Sequence, residues 1–217
     1  MPDEKAAATV QVWDPLVRVG HWVLVIAFAV AYLTEDDALE IHEWAGYVVA
    51  AYILVRLVWG FVGPKHARFS DFLFNPFTAL AYLFDLVRAR AARHIGHSPA
   101  GAMMVFALLF MLTGTVATGM AELALSHGEG PFTLFLEKQT AESPSADTAP
   151  IVEDEGGEGP GRREESQMQE IHELFANLTL ILIVLHVAGV VAASIVHKES
   201  LVMAMITGRK RADGSPH

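Results

Sequence analysis

The stretch IHELFANLTLILIVLHVAGVVAASIVH, residues 171–197, carries His172 at its entry and His186 inside a run that is otherwise almost all apolar. The two are fourteen residues apart. On a straight helix that is a rise of about 21 Å and a rotation about 40° short of four turns. They therefore share nearly one face, at two depths. A neutral imidazole in a low-dielectric core costs free energy unless something partners it. Two chemistries use such a group: ligation of a metal held in the core, and relay of protons. His21 and His42, each near the start of an earlier apolar run, are the matching groups.

These residues need membrane-spanning elements to position them. The chain has 217 residues, 53% of them hydrophobic, with a mean hydropathy of +0.36. Few soluble domains are so apolar, so an all-α membrane protein is expected. Crossing a bilayer takes about 20 apolar residues in a helix. Four segments qualify: roughly Pro15 to Thr34, Ile41 to Val62, Ala100 to Ala121, and the stretch Ile171 to His197. Asp14 is placed to cap the first, with Pro15 in its first turn. The net charge of −10 argues against a nucleic-acid partner. The absence of cysteine removes disulfides, thiolate metal sites, iron–sulfur clusters and covalent haem attachment together. The opening MPDEKAAATVQVWDP does not read as a secretory signal.

Charge sets the expected orientation. The first link carries Glu35, Asp36, Asp37 and Glu40 and no base, whereas the second carries Lys65, Arg68, Arg88, Arg90 and Arg93. The tail adds Lys198, Arg209, Lys210 and Arg211. The positive-inside rule places both termini in the cytoplasm, in agreement with four crossings. The expected organisation is a cytoplasmic tail over 1–14, helices one to three over 15–122, an acidic outward link over 123–169, helix four over 170–197 and a basic cytoplasmic tail over 198–217. Residues 76–93 read as an amphipathic helix in the inner interface, with Leu80, Leu83, Phe84 and Val87 on one face. The link TAESPSADTAPIVEDEGGEGPGRREES reads as disordered, either a solvated tether or an electrostatic lure for a basic partner.

On this topology the histidines pair by depth: His42 with His172 near the outer surface, and His21 with His186 in the inner half. Paired imidazoles on facing helices suit bis-histidine ligation of haem iron. The fold class expected is thus an all-α membrane protein, a four-transmembrane-helix bundle enclosing two haems. Taken singly, His42 and His172 also fit as ordinary interfacial residues, and His186 as a proton relay. Arg56 lies fourteen residues after His42 and shares its inward face. A haem propionate or a quinone carbonyl would satisfy it, as would snorkelling to the inner surface. His66, His94, His97, His127, His197 and His217 read as surface residues, with His94 and His97 as candidates to border a quinone site. Gly46, Gly114, Gly119 and Gly189 either leave room for porphyrin or allow close helix packing.

The segments VWDPLVRVGHW, LEIHEWAGYVVAAYILVRLVWGFVGPKHARF and HIGHSPAGAMMVFALLFMLTG, followed by the two histidines of helix four, together resemble the bacterial cytochrome b561 family. That group includes the cytochrome b subunits of nickel–iron hydrogenases. The resemblance omits the first dozen residues, the acidic link and the extreme tail. It implies two haem b groups in the inner membrane, ligated by residues matching His21, His42, His172 and His186, with Arg56 matching the family's arginine. It implies electron transfer between the quinone pool and a periplasmic partner: a hydrogenase, another dehydrogenase or a c-type cytochrome. The acidic link departs from the family pattern, so the partner does not follow from the resemblance. Two other functions fit less well. A stand-alone superoxide:quinone oxidoreductase would want cations, not acids, beside the outer haem. A haem-free histidine proton relay or transporter would be colourless.

Overall fold

A computed structural model describes residues 8–35, 38–134 and 160–212. Four helices in it are long and apolar enough to cross a membrane: α1 (Pro15–Leu33), α2 (Leu39–Val62), α4 (Pro99–His127) and the Gln167–His197 part of α5 (Pro160–His197). The remaining elements are β1 (Thr9–Gln11), two 3₁₀ turns (Lys65–Ala67 and Phe69–Phe72), α3 (Pro76–Val87), α6 (Leu201–Thr207) and β2 (Arg209–Arg211). The centre of the acidic link, residues 135–159, lies outside the described residues, as do Asp36, Asp37 and His217. Helix α4 continues six residues past the expected Ala121, and α5 begins at Pro160, upstream of the apolar run. The charged residues between 160 and 170 are good helix formers, which hydropathy alone does not register.

The described chain divides into two compact units, residues 1–110 with 180–217, and residues 111–179. In the first, α1 starts as its sequence dictates. Asp14 accepts hydrogen bonds from the backbone N–H groups of Leu16 (3.0 Å) and Val17 (3.2 Å). These are donors that the first turn leaves unpaired, and Pro15 has none to lose. The second Asp14 oxygen accepts from Trp59 Nε1 at 3.4 Å, tying the start of α1 to the end of α2. Strands β1 and β2 pair antiparallel, with Val10 opposite Lys210, and so join the two ends of the described chain. Helix α3 begins on an Asn75 cap and buries Ala79, Tyr82 and Leu86. Tyr82 and Leu86, with Ala91, pack against Ala192, Ala193 and Val196 at the end of α5. The opposite face of α3 leaves Leu80, Leu83, Phe84 and Val87 exposed, the four apolar residues that share a face in the sequence.

The packing is inverted relative to a water-soluble domain. Large apolar side chains such as Ile26, Leu54, Val58, Phe110 and Ile195 point outward, and each is more than 60% exposed. Arg56 and Thr179 are buried, with Thr179 wholly so. In the second unit Thr179 Oγ1 meets Thr115 Oγ1 at 3.2 Å, and both hydroxyls donate back to carbonyls one turn earlier in their own helices. Polar groups inside and apolar groups outside is the arrangement a hydrocarbon solvent selects, because no outside water pays for exposed polarity.

Candidate haem-binding site

His21 stands in the second turn of α1 and His186 in the last third of α5. Their rings face one another with centroids 6.5 Å apart and planes at 55°. His21 Nδ1 is buried and has no hydrogen-bond partner among the described residues. The edge of Trp22 closes one side of the ring, with centroids 5.3 Å apart. Two imidazoles that share a metal at roughly 2 Å on each side have centroids roughly 6 Å apart. The observed spacing is too wide for a direct ring-to-ring hydrogen bond and suits one atom between them. No group of three or more His, Asp or Glu able to hold a bare metal ion occurs among the described residues. Two ligands suffice for iron whose other positions a porphyrin fills. On the orphaned Nδ1, the ring spacing and the donor set, these residues fit a bis-histidine haem.

His42 opens α2 and lies against the last turn of α1. Its Nδ1 is 2.8 Å from the Ala31 carbonyl. A carbonyl only accepts, so Nδ1 carries the proton and a neutral ring keeps its lone pair at Nε2. His172, in the other unit, is held in the same way: its Nδ1 donates to the Thr115 carbonyl at 2.9 Å, with Thr118 Oγ1 at 3.3 Å. This is how ligating histidines are oriented, the second nitrogen anchored to a carbonyl so that Nε2 is presented as the base. A Cβ on Gly119 would press on the His172 ring, at 2.8 Å from Cε1.

The four glycines therefore divide. Gly114 and Gly119 pack against Phe175 and His172. Gly46, one turn after His42, and Gly189, one turn after His186, have nothing described within 4 Å of where a Cβ would stand. Close packing explains the first two, and room beside a ligand is available at the second two.

Arg56 is buried, 6% exposed, with its guanidinium 4.7 Å from the centre of the Phe69 ring. Its Nη1 has no hydrogen-bond partner among the described residues. A cation stacked on an aromatic face gains something, but a buried guanidinium N–H left without an acceptor is costly. The sequence reading of His97 as a surface residue does not hold. Its ring lies 4.1 Å from that of Phe72 and 4.6 Å from that of Trp13. Burial pushes its pKa down to about 3, helped by the positive charges of Arg56, His66 and Lys210. Sequence reasoning also passed over Thr115 and Thr118. The signal was their spacing of three within LTGTVATGM, which puts both on one face of α4.

A mostly helical chain, with four membrane-length apolar helices and two half-buried imidazoles facing one another, has the features of the helical membrane cytochromes. The family model for prokaryotic cytochrome b561 matches residues 12–208, and this chain belongs to that family. Membership implies haem b as the cofactor. Among relatives, a probable Ni/Fe-hydrogenase B-type cytochrome subunit from Rhodobacter capsulatus is 24% identical, over 93% of this chain and 81% of that protein. The similarly named protein of Cupriavidus necator is 22% identical, over 94% and 88%. That of Azotobacter chroococcum is 28% identical over 56% of this chain and 62% of its own length. No solved structure matches the chain.

Proposed function

We propose that the protein is a di-haem b-type cytochrome that carries electrons across the inner membrane between a periplasmic redox partner and the quinone pool. The haems, when bound, supply reversible one-electron chemistry at iron. The observation that carries the reading is the His21–His186 pair, with its rings 6.5 Å apart in otherwise apolar helices. These two residues hold the inner iron. His42 and His172, paired by depth in the sequence, hold the outer one, each with its second nitrogen already committed to a backbone carbonyl. Arg56 supplies the buried positive charge that a propionate on the inner haem or the head of a quinone requires. The basic second link and tail put both termini in the cytoplasm, so the His42 and His172 end faces the periplasm.

A hydrogenase is the partner that the relatives favour, since all three named above are called probable hydrogenase cytochrome subunits. The acidic link before α5 favours a basic docking surface on whichever partner binds, and salt-dependent transfer rates are expected.

The test is a reduced-minus-oxidised spectrum with haem quantitation on wild type, His42→Ala and His186→Ala. Two haem b per chain are expected in wild type, and each variant should lose mainly one. A wild type that binds no haem when expressed with ample haem supply would overturn the reading and return the buried histidines to proton relay.

A further inference from the structure

A second polar site lies at the end of α1 that precedes His21. Where α1 begins and α5 ends, the β1–β2 ribbon and α6 enclose an open cleft of about 640 Å³. Four cations line it, Arg18, Arg209, Lys210 and Arg211, with Glu199 as the one carboxylate. Glu199 does not cancel them. Burial would raise its pKa, but the Arg93 hydrogen bonds, the Arg211 backbone N–H and the charges of Lys210 and Arg93 together hold it below the ordinary value. Both Glu199 oxygens are engaged, by Arg93 at 2.9 and 3.1 Å and by the Arg211 N–H at 2.8 Å.

Lys210 Nζ donates to the His94 carbonyl at 2.7 Å and lies 3.9 Å from Glu199, and Arg211 Nη2 donates to the His197 carbonyl at 3.4 Å, so Arg18 and Arg209 are the two cations the cleft offers a ligand. The Arg209 side chain is exposed. Arg18 reaches under Gly208, and its Nε is buried without a hydrogen-bond partner among the described residues. Gly208 has a φ of +79°, and a Cβ there would strike the Arg18 guanidinium. The turn that ends α6 thus needs glycine for its backbone and also to admit Arg18.

The surroundings specify the kind of anion. The cleft sits at the ends of two membrane-crossing helices, the level of lipid headgroups. One wall is α6, which lines the cleft through Met203 and leaves Val202, Met203 and Ile206 about half exposed. A soluble anion has no use for that apolar wall, whereas acyl chains do. Basic pockets at this level are suited to anionic headgroups. We infer that this cleft binds an anionic phospholipid, its phosphate held by Arg18 and Arg209 and its chains lying along α6. Bound there, the lipid joins the first turn of α1 to the segment that leaves α5.

The experiment uses full-length protein in detergent, with phosphatidylglycerol, phosphatidylcholine or inorganic phosphate added. Retained lipid is counted by native mass spectrometry, which separates species by haem content, and melting temperature is compared at matched haem content. Phosphatidylglycerol should be retained and raise the melting temperature, and phosphatidylcholine should do neither. Arg209→Gln, at an exposed position, should weaken retention about five-fold, and Arg18→Gln with it about 25-fold. Arg88→Gln, at the C-cap of α3 and not among the residues that line the cleft, should match wild type. If Arg18→Gln does not fold, Arg209→Gln decides. Equal retention of the two lipids, wild-type retention by Arg209→Gln, or an equal thermal shift from inorganic phosphate alone would each overturn the proposal.

Discussion

His172 and His21 are both helix-borne imidazoles in apolar surroundings, yet the protein treats them differently. The Nδ1 of His172 is committed to the Thr115 carbonyl, with the Thr118 hydroxyl beside it and Gly119 giving its ring room. His21 meets only the rings of Trp22 and His186, with its Nδ1 unpartnered among the described residues. One ring is oriented by the protein before any cofactor arrives. The other has no such anchor among the described residues and stands 6.5 Å from the His186 ring. The contrast teaches that a ligand set is read from what holds each ring as much as from which rings are present.

The strongest way to break this comparison is Gly119→Ala. The new methyl displaces the His172 ring, and haem affinity at the outer site should fall about 10- to 100-fold while the inner haem is retained. Thr118→Val, which removes only the longer contact and leaves the Thr115 carbonyl, should stay at or below the low end of that range. Quantitation of haem per chain after dilution checks both. A Gly119→Ala protein with two tightly held haems would show that His172 is not positioned by this packing.

On the other side, Arg56→Gln tests whether the buried cation faces the inner haem. A positive charge favours the more reduced, more negative state, so its removal should lower one midpoint potential and leave the other in place. A shift of about 60 mV corresponds to tenfold in a one-electron equilibrium. Redox titration followed by optical spectroscopy reads it. Two unchanged potentials would assign Arg56 to the Phe69 face alone.

The smallest effect is expected at His97, whose ring packs against Trp13 and Phe72. Its folded pKa is about 3, against 6.5 for the free side chain. Between those values the unfolded chain takes up a proton that the folded one refuses. Its neutral form therefore leaves stability undiminished above pH 6.5, and stability falls as pH drops from 6.5 toward 3. The slope contributed is at most about 1.4 kcal/mol per pH unit. His97→Phe should flatten the melting temperature against pH over that window. Parallel curves for variant and wild type would show that the ring is not held neutral by its Trp13 and Phe72 cage.

Much of this was legible in the chain. Apolar runs of membrane length mark α1, α2, α4 and the later part of α5, because hydrocarbon admits a backbone only when every N–H and C=O is paired within the segment. The Asp14 cap was legible because the first turn of a helix needs acceptors and Pro15 needs none. Cytochrome b561 membership was legible in the motifs. The sequence could not show that Gly114 and Gly119 serve packing while Gly46 and Gly189 border open space, since the same residue answers both needs. Nor could it show that His97 is enclosed. Its neighbours Trp13 and Phe72 come from distant parts of the chain, and hydropathy treats a histidine in a basic link as solvated.

Sequence alone thus determined the spans, the caps, the family and the positions of the four histidines along their helices, all consequences of local composition and of a period of about 3.6 residues. The tertiary structure alone supplied the spacing of the His21 and His186 rings, which nitrogens rest on the Ala31 and Thr115 carbonyls, and that Arg18 and Arg209 share a cleft. Those facts depend on how helices rotate and approach one another, and that is set by side-chain packing between segments far apart in the chain.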